Sequence, residues 1–216
     1  MIATAQSLFW RRRDGVATIE FAILLPFILM MVFGVFEAAE VLRASMKVAI
    51  AAENIADLIA QQGSVTDTTS GSLGNFCTAG QKAMTPLSTS GTSGNPGAFS
   101  AAMVSVTNNA GTAGADWESD GACSVTAASF GTSAVTLATT AVANGVNPSC
   151  ASGSTIDLVP CSGNSLIVVK VTYVYNMPLN INFGAILFNL PGNFQSATLT
   201  YVAYARPRGN VTIPCT

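Results

Sequence analysis

The most apolar part of the chain lies close to its N-terminus. Phe21 to Phe36 form an uninterrupted run of 16 residues without a charged side chain, and Ile19 and the alanines after Glu37 extend it. A helix needs about 20 apolar residues to cross the hydrocarbon of a bilayer, so the run predicts a transmembrane helix over about 19–38. Pro26 inside it predicts a kink or local loosening, which membrane helices tolerate better than soluble ones.

The helix is predicted to continue beyond the membrane segment. Residues 37–62 contain neither proline nor glycine and are rich in alanine, the best helix former. Glu40 and Arg43 have the spacing of an i,i+3 ion pair. A continuous helix over 16–62, stopping before Gly63, would be roughly 70 Å long. Apolar residues at intervals of three and four predict one buried stripe along its second half: Val41, Ala44, Val48, Ile55, Leu58 and Ile59.

The remainder of the chain alternates polar linkers with short periodic segments. A linker over 63–101 contains apolar positions that predict a short helix over about 72–85, started by Ser72. Residues 102–216 are predicted to form a β-rich exported domain. Its last two strands should pair antiparallel, with a helical excursion between them. The predicted fold class is therefore α+β, with a long N-terminal membrane-spanning helix and a small antiparallel sheet whose candidate strands are 103–106, 123–126, 166–175 and 197–205.

Charge is scarce and unevenly placed. Half of the residues are hydrophobic, only 9% are charged, and histidine is absent. This composition, with its many glycines and its Ser/Thr/Asn tracts, suits an exported protein better than a cytosolic enzyme. Arg11, Arg12 and Arg13 precede the apolar run and predict a cytoplasmic N-terminus with the C-terminal domain outside. The basic residues form no face suited to nucleic acid.

The sequence offers little support for an enzyme, a cofactor or a metal site. No histidine is available as a base or zinc ligand, and no GxSxG or P-loop spacing occurs, so we predict no catalytic residue, cofactor or metal. Asp116, Glu118 and Asp120 alternate in a segment interpreted as a loop, without the spacing of an EF-hand. Trp117 is interpreted as a solitary aromatic of that loop.

Five cysteines follow the membrane segment: Cys77, Cys123, Cys150, Cys161 and Cys215. Scattered cysteines in a translocated domain favour disulfides. Cys150 and Cys161 flank a Ser/Gly-containing loop and are the best single candidate pair. Other pairings stay open, as does the alternative that the cysteines are reduced and packed as small hydrophobic residues.

A glycine and a lone carboxylate stand before the apolar run. Glu20 lies at the N-terminal end of the membrane segment, where a carboxylate is costly unless it has a cationic partner. Cleavage after Gly15 would give Val16 a new α-amino group, which could pair with Glu20 of a neighbouring subunit. A class III, prepilin-type signal explains the arginines, the apolar run and Glu20 together. The cleavage site of a secretory signal peptide is missing here, and a plain signal anchor leaves Glu20 unexplained.

The N-terminal part resembles the TadE-like family, the pseudopilins or minor pilins of tight-adherence (Flp-type) pili. The resemblance covers residues 11 to about 60 and rests on residues 11–15, residues 17–22, Leu25-Pro26 and Glu37. It implies removal of a leader over 1–15 by a prepilin peptidase, with cleavage between Gly15 and Val16. It also implies insertion among the lipids of the inner membrane, and assembly with the major Flp pilin, other minor pilins and the inner-membrane assembly machinery. The residues expected to take part in assembly are Glu20, Phe21 and Pro26.

The size of the exported domain bears on the role that the resemblance implies. Major Flp pilins are far shorter than this chain, so we expect a minor pilin or pseudopilin acting at pilus initiation or at the tip and supporting adhesion, of either TadE or TadF type. The alternative is an uncleaved, signal-anchored adhesin or pilus-assembly scaffold with an extracytoplasmic binding domain. An anchored adhesin should tolerate Glu20→Ala, whereas a pilin-like subunit should not.

Overall fold

A computed structural model gives the fold of the 216-residue chain. It describes residues 6–109, 112–119, 123, 165–177, 196–208 and 212–216. Cys150, Cys161, most of the predicted strand at 123–126 and the predicted helical excursion lie outside these residues. The described residues form two helices and one four-stranded antiparallel sheet, so the fold is α+β.

Helix α1 (Gln6–Ala60) has 55 residues and is about 80 Å long. It continues through Pro26 and ends close to the predicted stop, where the amide of Gln62 donates to the Ile59 carbonyl at 3.0 Å. Its first residue lies well before Val16, since the residues between Gln6 and Asp14 include neither proline nor glycine. The helix therefore contains both an apolar first half and an alanine-rich second half.

The second half of α1 carries the folded part of the protein, which we call the head. Ala44, Val48, Ile55 and Ile59 are fully buried there, while Val41 and Leu58 are half-buried. The predicted stripe is thus the face on which the head packs. Ala51, Ala52 and Ala56 on the same face are also buried. Small side chains allow other elements to approach the α1 backbone closely.

Helix α2 (Ser72–Ala83) packs against α1. The helix begins at Ser72 as predicted, and Gly71 occupies the N-cap position. The Ser72 hydroxyl accepts the amide hydrogen of Thr66 at 2.7 Å, which holds the preceding loop against the helix. At the other end of α2, the Lys47 ammonium of α1 donates to the Thr85 carbonyl at 2.5 Å, where a cation also complements the helix dipole.

The sheet has the strand order β2-β1-β3-β4. Its strands are β1 (Phe99–Asn109), β2 (Thr112–Glu118), β3 (Ser165–Asn176) and β4 (Ser196–Ala205), and every adjacent pair is antiparallel. The predicted antiparallel pairing of the last two strands is confirmed. Cys123, predicted to begin a strand, lies instead in a turn.

One face of the sheet packs on α1. The register aligns Ala101, Val171 and Tyr201 across β1, β3 and β4, and their side chains point to the same face. The Tyr201 hydroxyl donates to a carboxylate oxygen of Glu53 on α1 at 3.3 Å, which identifies this face as the one against the helix. The core cluster includes residues of this face, α1 and α2, and also buried residues of the opposite face of the sheet, such as Val104 and Val168.

Trp117 is part of strand β2 and is buried, so the prediction of an aromatic residue in a polar loop is wrong. Its indole Nε1 donates to the Ile213 carbonyl at 2.7 Å. The residues around Trp117 include glycine and acidic side chains, which disfavour strands. Pairing with β1 overrides this local preference, because it satisfies the backbone groups of the segment.

Asp116, which was predicted to lie in an acidic loop, is part of strand β2. Its Oδ2 atom accepts hydrogen bonds from the hydroxyls of Ser105 and Thr107 on β1, at 3.0 and 2.5 Å. Thr107 in turn lies 3.0 Å from the hydroxyl of Ser165 on β3. This polar network joins three strands, and the Asp116 carboxylate forms hydrogen bonds within the sheet.

A disulfide joins Cys77 of α2 to Cys123, which follows β2. The two cysteines are 46 positions apart, and the sequence had left their pairing open. Cys215 has a free, exposed thiol, and its backbone forms an isolated β-bridge with Val65. The disulfide therefore connects α2 to the segment that follows the edge strand β2.

Candidate assembly surface on helix α1

The first half of α1 stands clear of the head. Every described side chain from Ala17 to Leu29 is exposed, including Phe21 at 59% and Pro26. None of its most apolar window is buried, and α1 is long and apolar enough from Ala17 onward to cross a membrane. Exposed apolar surface of this extent is unfavourable in water. This N-terminal helix therefore suggests a membrane anchor.

The head begins at Glu37 and Glu40, which are half-buried. Burial raises the pKa of Tyr175 at the end of β3, and the negative charges of these two carboxylates raise it further. Glu40 also forms the predicted ion pair with Arg43, with 3.7 Å between Oε1 and Nη1. This part of α1 and the end of β3 thus form the boundary between the apolar segment and the head.

Glu20 is exposed on the apolar part of the helix. It precedes Glu37 by 17 positions, which corresponds to about 26 Å of helix. The hydrocarbon core of a bilayer is about 30 Å thick. Since the head at Glu37 stays in water, a helix that spans the bilayer holds Glu20 at the opposite edge of the hydrocarbon or a few ångströms inside it.

A carboxylate at that depth is costly unless it has a cationic partner or its side chain reaches the aqueous interface. Two ion pairs among the described residues join Arg43 to Glu40 and Arg208 to Asp57, and Glu20 takes part in neither. The predicted cleavage point between Gly15 and Val16 lies in α1, and Val16 precedes Glu20 by one helical turn, about 6 Å along the axis. The α-amino group that cleavage would create therefore lies within about one helical turn of Glu20 in depth.

The structure reveals a second exposed apolar line that sequence reasoning missed. Leu42, Met46 and Ile50 are 60%, 64% and 50% exposed, and we call them the outer ridge. They follow one another at intervals of four, on the side of α1 opposite the buried stripe. That spacing was visible in the sequence, but an apolar residue in a helix is normally assigned to the core.

An open groove of about 490 Å³ runs between α1 and the edge strand β4, and we call it the α1–β4 groove. The two sides differ in chemistry. The helix supplies small and apolar side chains, and the strand supplies threonines with Leu199 and Tyr201. The lining residues are Ser45, Met46, Val48, Ala49, Thr198, Leu199, Thr200 and Tyr201. None of these carries a charge.

Comparison with known families bears on the exposed part of α1. The family model described as TadE-like protein matches residues 15–57. Residues 15–57 are a TadE-like segment. The family resemblance noted in the sequence is therefore confirmed for this part of the chain. No curated protein and no solved structure matches the chain.

The TadE-like segment contains Gly15, Glu20, Phe21, Pro26 and the outer ridge, and it ends inside α1. The sheet lies outside it. The match thus coincides with the helix that carries both the membrane anchor and the face on which the head packs. It indicates a protein associated with a Tad/Flp pilus.

Proposed function

We propose that this protein is a minor pilin or pseudopilin that takes part in the assembly of a tight-adherence pilus, at initiation or at the tip, and supports adhesion. One observation carries the proposal: Glu20 stands on an exposed apolar helix 17 residues before the folded head, a spacing of about 26 Å that would hold it near the hydrocarbon edge of a bilayer. A carboxylate placed there needs a cation from another group, and a subunit assembly supplies one.

In the proposed mechanism, a prepilin peptidase cuts between Gly15 and Val16 and removes the arginine triplet. The new amino group of Val16 on one subunit then pairs with Glu20 of its neighbour, which neutralises the carboxylate and sets the axial position of the two helices. Phe21 and Pro26, both exposed, contact lipid before assembly and neighbouring helices afterwards. This role is one of binding and assembly and involves no catalysis.

The disulfide between Cys77 and Cys123 supports the proposed orientation, because disulfides persist in oxidising compartments outside the cytoplasm. The chain would be a single-pass protein of the inner membrane, with its N-terminus in the cytoplasm and its head outside. The proposed partners are the prepilin peptidase, the major Flp pilin, other minor pilins and the inner-membrane assembly machinery.

The proposal is tested first by the intact mass and N-terminal sequence of the protein from native membranes. We expect a chain that begins at Val16 in cells with the peptidase and retains Arg11 to Arg13 in cells without it. A chain that keeps the arginines in both would refute processing and leave an uncleaved adhesin or scaffold.

The role of the carboxylate is tested by Glu20→Gln, which keeps the shape of the side chain and removes its charge. We expect the amount of the protein in sheared pili to fall at least about tenfold, equivalent to ~1.4 kcal/mol. Asp57→Asn is the matched control, since it removes one exposed carboxylate from α1 outside the membrane. Equal incorporation of both variants would contradict the proposed pairing.

A further inference from the structure

We infer that a cavity between the loop before β1 and the outer face of the sheet receives the phosphate-bearing head group of a phospholipid from the bilayer that anchors the chain. The inference rests on the proposed membrane anchoring and deepens it by naming a lipid contact of the head. It is separate from the processing at Gly15 and from the pairing of Glu20.

The cavity lies on the face of the sheet that points away from α1. Ser100 and Thr172 are register partners on β1 and β3, and Thr198 of β4 lies opposite Val174. Because side chains alternate along a strand, these three hydroxyls share the face opposite the one that packs on α1. Residues 91–94 line the other side of the cavity, which has a volume of about 470 Å³. This volume is within the range of small-molecule sites.

The level of the cavity along α1 follows from the two strands that line it. Tyr175 at the end of β3 lies near the start of the head, since burial and then the charges of Glu37 and Glu40 raise its pKa. Thr198 lies opposite the residue before Tyr175 in the sheet, and it also lines the α1–β4 groove beside Met46. The cavity is therefore level with the part of α1 between Glu40 and Met46.

This level coincides with the polar layer of a bilayer. If the apolar span ends near Ala38, residues 40–46 lie roughly 3–12 Å beyond the hydrocarbon. The head-group layer is about 5–8 Å thick on each side of a bilayer. Because β1 begins and β3 ends at this end of the head, the loop before β1 lies on the bilayer side of the sheet. Lipid head groups of the anchoring bilayer are therefore present at the depth of the cavity.

The cavity offers hydrogen-bond donors that suit a phosphate. The hydroxyls of Ser93, Ser100 and Thr198 form no hydrogen bond with another described residue, and neither do the amides of Ser93 and Gly94. Ionised phosphate oxygens accept strong, charge-assisted hydrogen bonds from such donors. These groups therefore match the phosphodiester of a head group better than an acyl chain.

The charges around the cavity also suit a phosphate. None of the lining residues carries a charge. Lys170 lies two positions before Thr172 on the same face of β3, about 7 Å along the strand, and adds a positive charge beside the cavity. Glu37 and Glu40 lie on α1, on the other side of the sheet. A phosphate in the cavity therefore meets no carboxylate among the lining residues.

The loop is held in place without a ligand. The amide of Gly97 donates to the Val174 carbonyl at 2.8 Å, and the amide of Gly91 donates to the Gly97 carbonyl at 3.0 Å. Gly94 has a φ of 80°, a conformation that favours glycine. Because these contacts fix the loop against β3, binding requires little further ordering of the chain.

Photo-cross-linking of the full chain in vesicles of phosphatidylglycerol and phosphatidylethanolamine tests the depth of the loop. p-Benzoylphenylalanine replaces Ser93 in one variant. In two controls it replaces Ile23 in the anchor or Gln61, which is exposed just beyond the far end of α1. After irradiation, the intact mass should show a phospholipid adduct at positions 93 and 23 and none at position 61. A yield at position 93 no higher than at position 61 would overturn the inference.

A second measurement tests recognition of the phosphate. The full chain is extracted from the vesicles in mild detergent, and the lipid that it retains is identified by native mass spectrometry. Thr172→Val and Thr198→Val each remove one hydroxyl, and the strands should persist because valine favours them. Each variant should retain phosphatidylglycerol at least about tenfold more weakly. Thr69→Val, at an exposed position in the loop before α2, is the matched control and should change nothing.

Two outcomes of this measurement would contradict the phosphate site. One is equal retention of phosphatidylglycerol by the parent and by both cavity variants. The other is retention of galactosyl diacylglycerol, which has no phosphate, as strong as that of phosphatidylglycerol.

The content of sheared pili distinguishes this inference from the proposed function. A lipid adduct at position 93, with no protein in the pili, would keep the inference and contradict the pilus role. Incorporation into pili without that adduct would do the reverse. Absence of an adduct at position 23 would refute the membrane anchor and the inference with it.

Discussion

The contact between α1 and α2 gives a quantitative test of how the head is packed. A Cβ atom added at Gly80 would lie 2.5 Å from Cδ1 of Ile55, 3.1 Å from its Cγ1 and 3.3 Å from Cζ of Phe99. Ile55 is fully buried and cannot move into solvent. Gly80→Ala therefore forces the Ile55 side chain out of its position, and most of the conflict involves the single atom Cδ1.

The expected magnitudes follow from this geometry. Overpacking a buried contact costs about 1–3 kcal/mol, while replacing a helical glycine by alanine returns about 1 kcal/mol. We expect Gly80→Ala to lower the free energy of unfolding by about 1 kcal/mol. Ile55→Val removes Cδ1 and should cost ~0.5–1.5 kcal/mol as a small cavity. In the double variant the new methyl group fills that cavity, so the double variant should be no less stable than Ile55→Val alone.

The measurement is urea unfolding of the full chain in detergent, followed by the fluorescence of the buried Trp117 with Trp10→Phe in every variant. A double-mutant cycle should give a favourable coupling of about 1–2 kcal/mol, above the ~0.3–0.5 kcal/mol error of additivity. Gly63→Ala is the control, since its added Cβ would have no neighbour within 4 Å. Additive effects, or a stabilisation of the full helix-propensity amount by Gly80→Ala alone, would refute the packing argument.

Two further predictions concern the head. Cys77→Ser should lower the free energy of unfolding by about 2–4 kcal/mol, because the lost disulfide to Cys123 spans a long loop. Reductant should reproduce this loss in the parent protein, whereas the control Cys215→Ser should leave the urea midpoint unchanged. A Cys77→Ser variant as stable as the parent would argue against the bond. Burial raises the pKa values of Tyr173 and Tyr175, so as the pH rises the unfolded state loses these protons before the folded state does. The contribution of the two tyrosines to the free energy of unfolding should be fully present below the unfolded pKa of 10.0 and should be lost as the pH rises toward the folded values. Urea midpoints measured from pH 8 to 11 test this, and a decline of equal size in Tyr175→Phe would show that Tyr175 does not contribute.

Local signals predicted the elements whose periodicity is strong. The buried stripe of α1 was visible because alanine-rich helical spacing needs no knowledge of the partner surface. Strands β3 and β4 were visible because they are rich in β-branched and aromatic residues. The exposed apolar segment with Glu20 at its mouth was equally visible, since length and hydropathy alone decide whether a helix can enter a bilayer.

Features that depend on contacts between distant residues needed the tertiary structure. Residues 112–118 form β2 because they pair with β1 and because the Asp116 carboxylate accepts two hydroxyl hydrogen bonds from that strand. Burial of Trp117 against Ile213 is likewise a contact between residues 96 positions apart. The partner of Cys77 is decided by the fold, which brings α2 next to Cys123, and no cysteine spacing reveals this.

The features of the candidate surface likewise fall into those that the sequence determined and those that only the tertiary structure decided. The sequence by itself determined that α1 has an apolar segment long enough to cross a membrane, a lone carboxylate at its edge and a TadE-like motif, because each of these is local along one helix. Only the tertiary structure decided which apolar positions of the second half are core and which are surface, because the head covers one side of α1 and leaves Leu42, Met46 and Ile50 exposed.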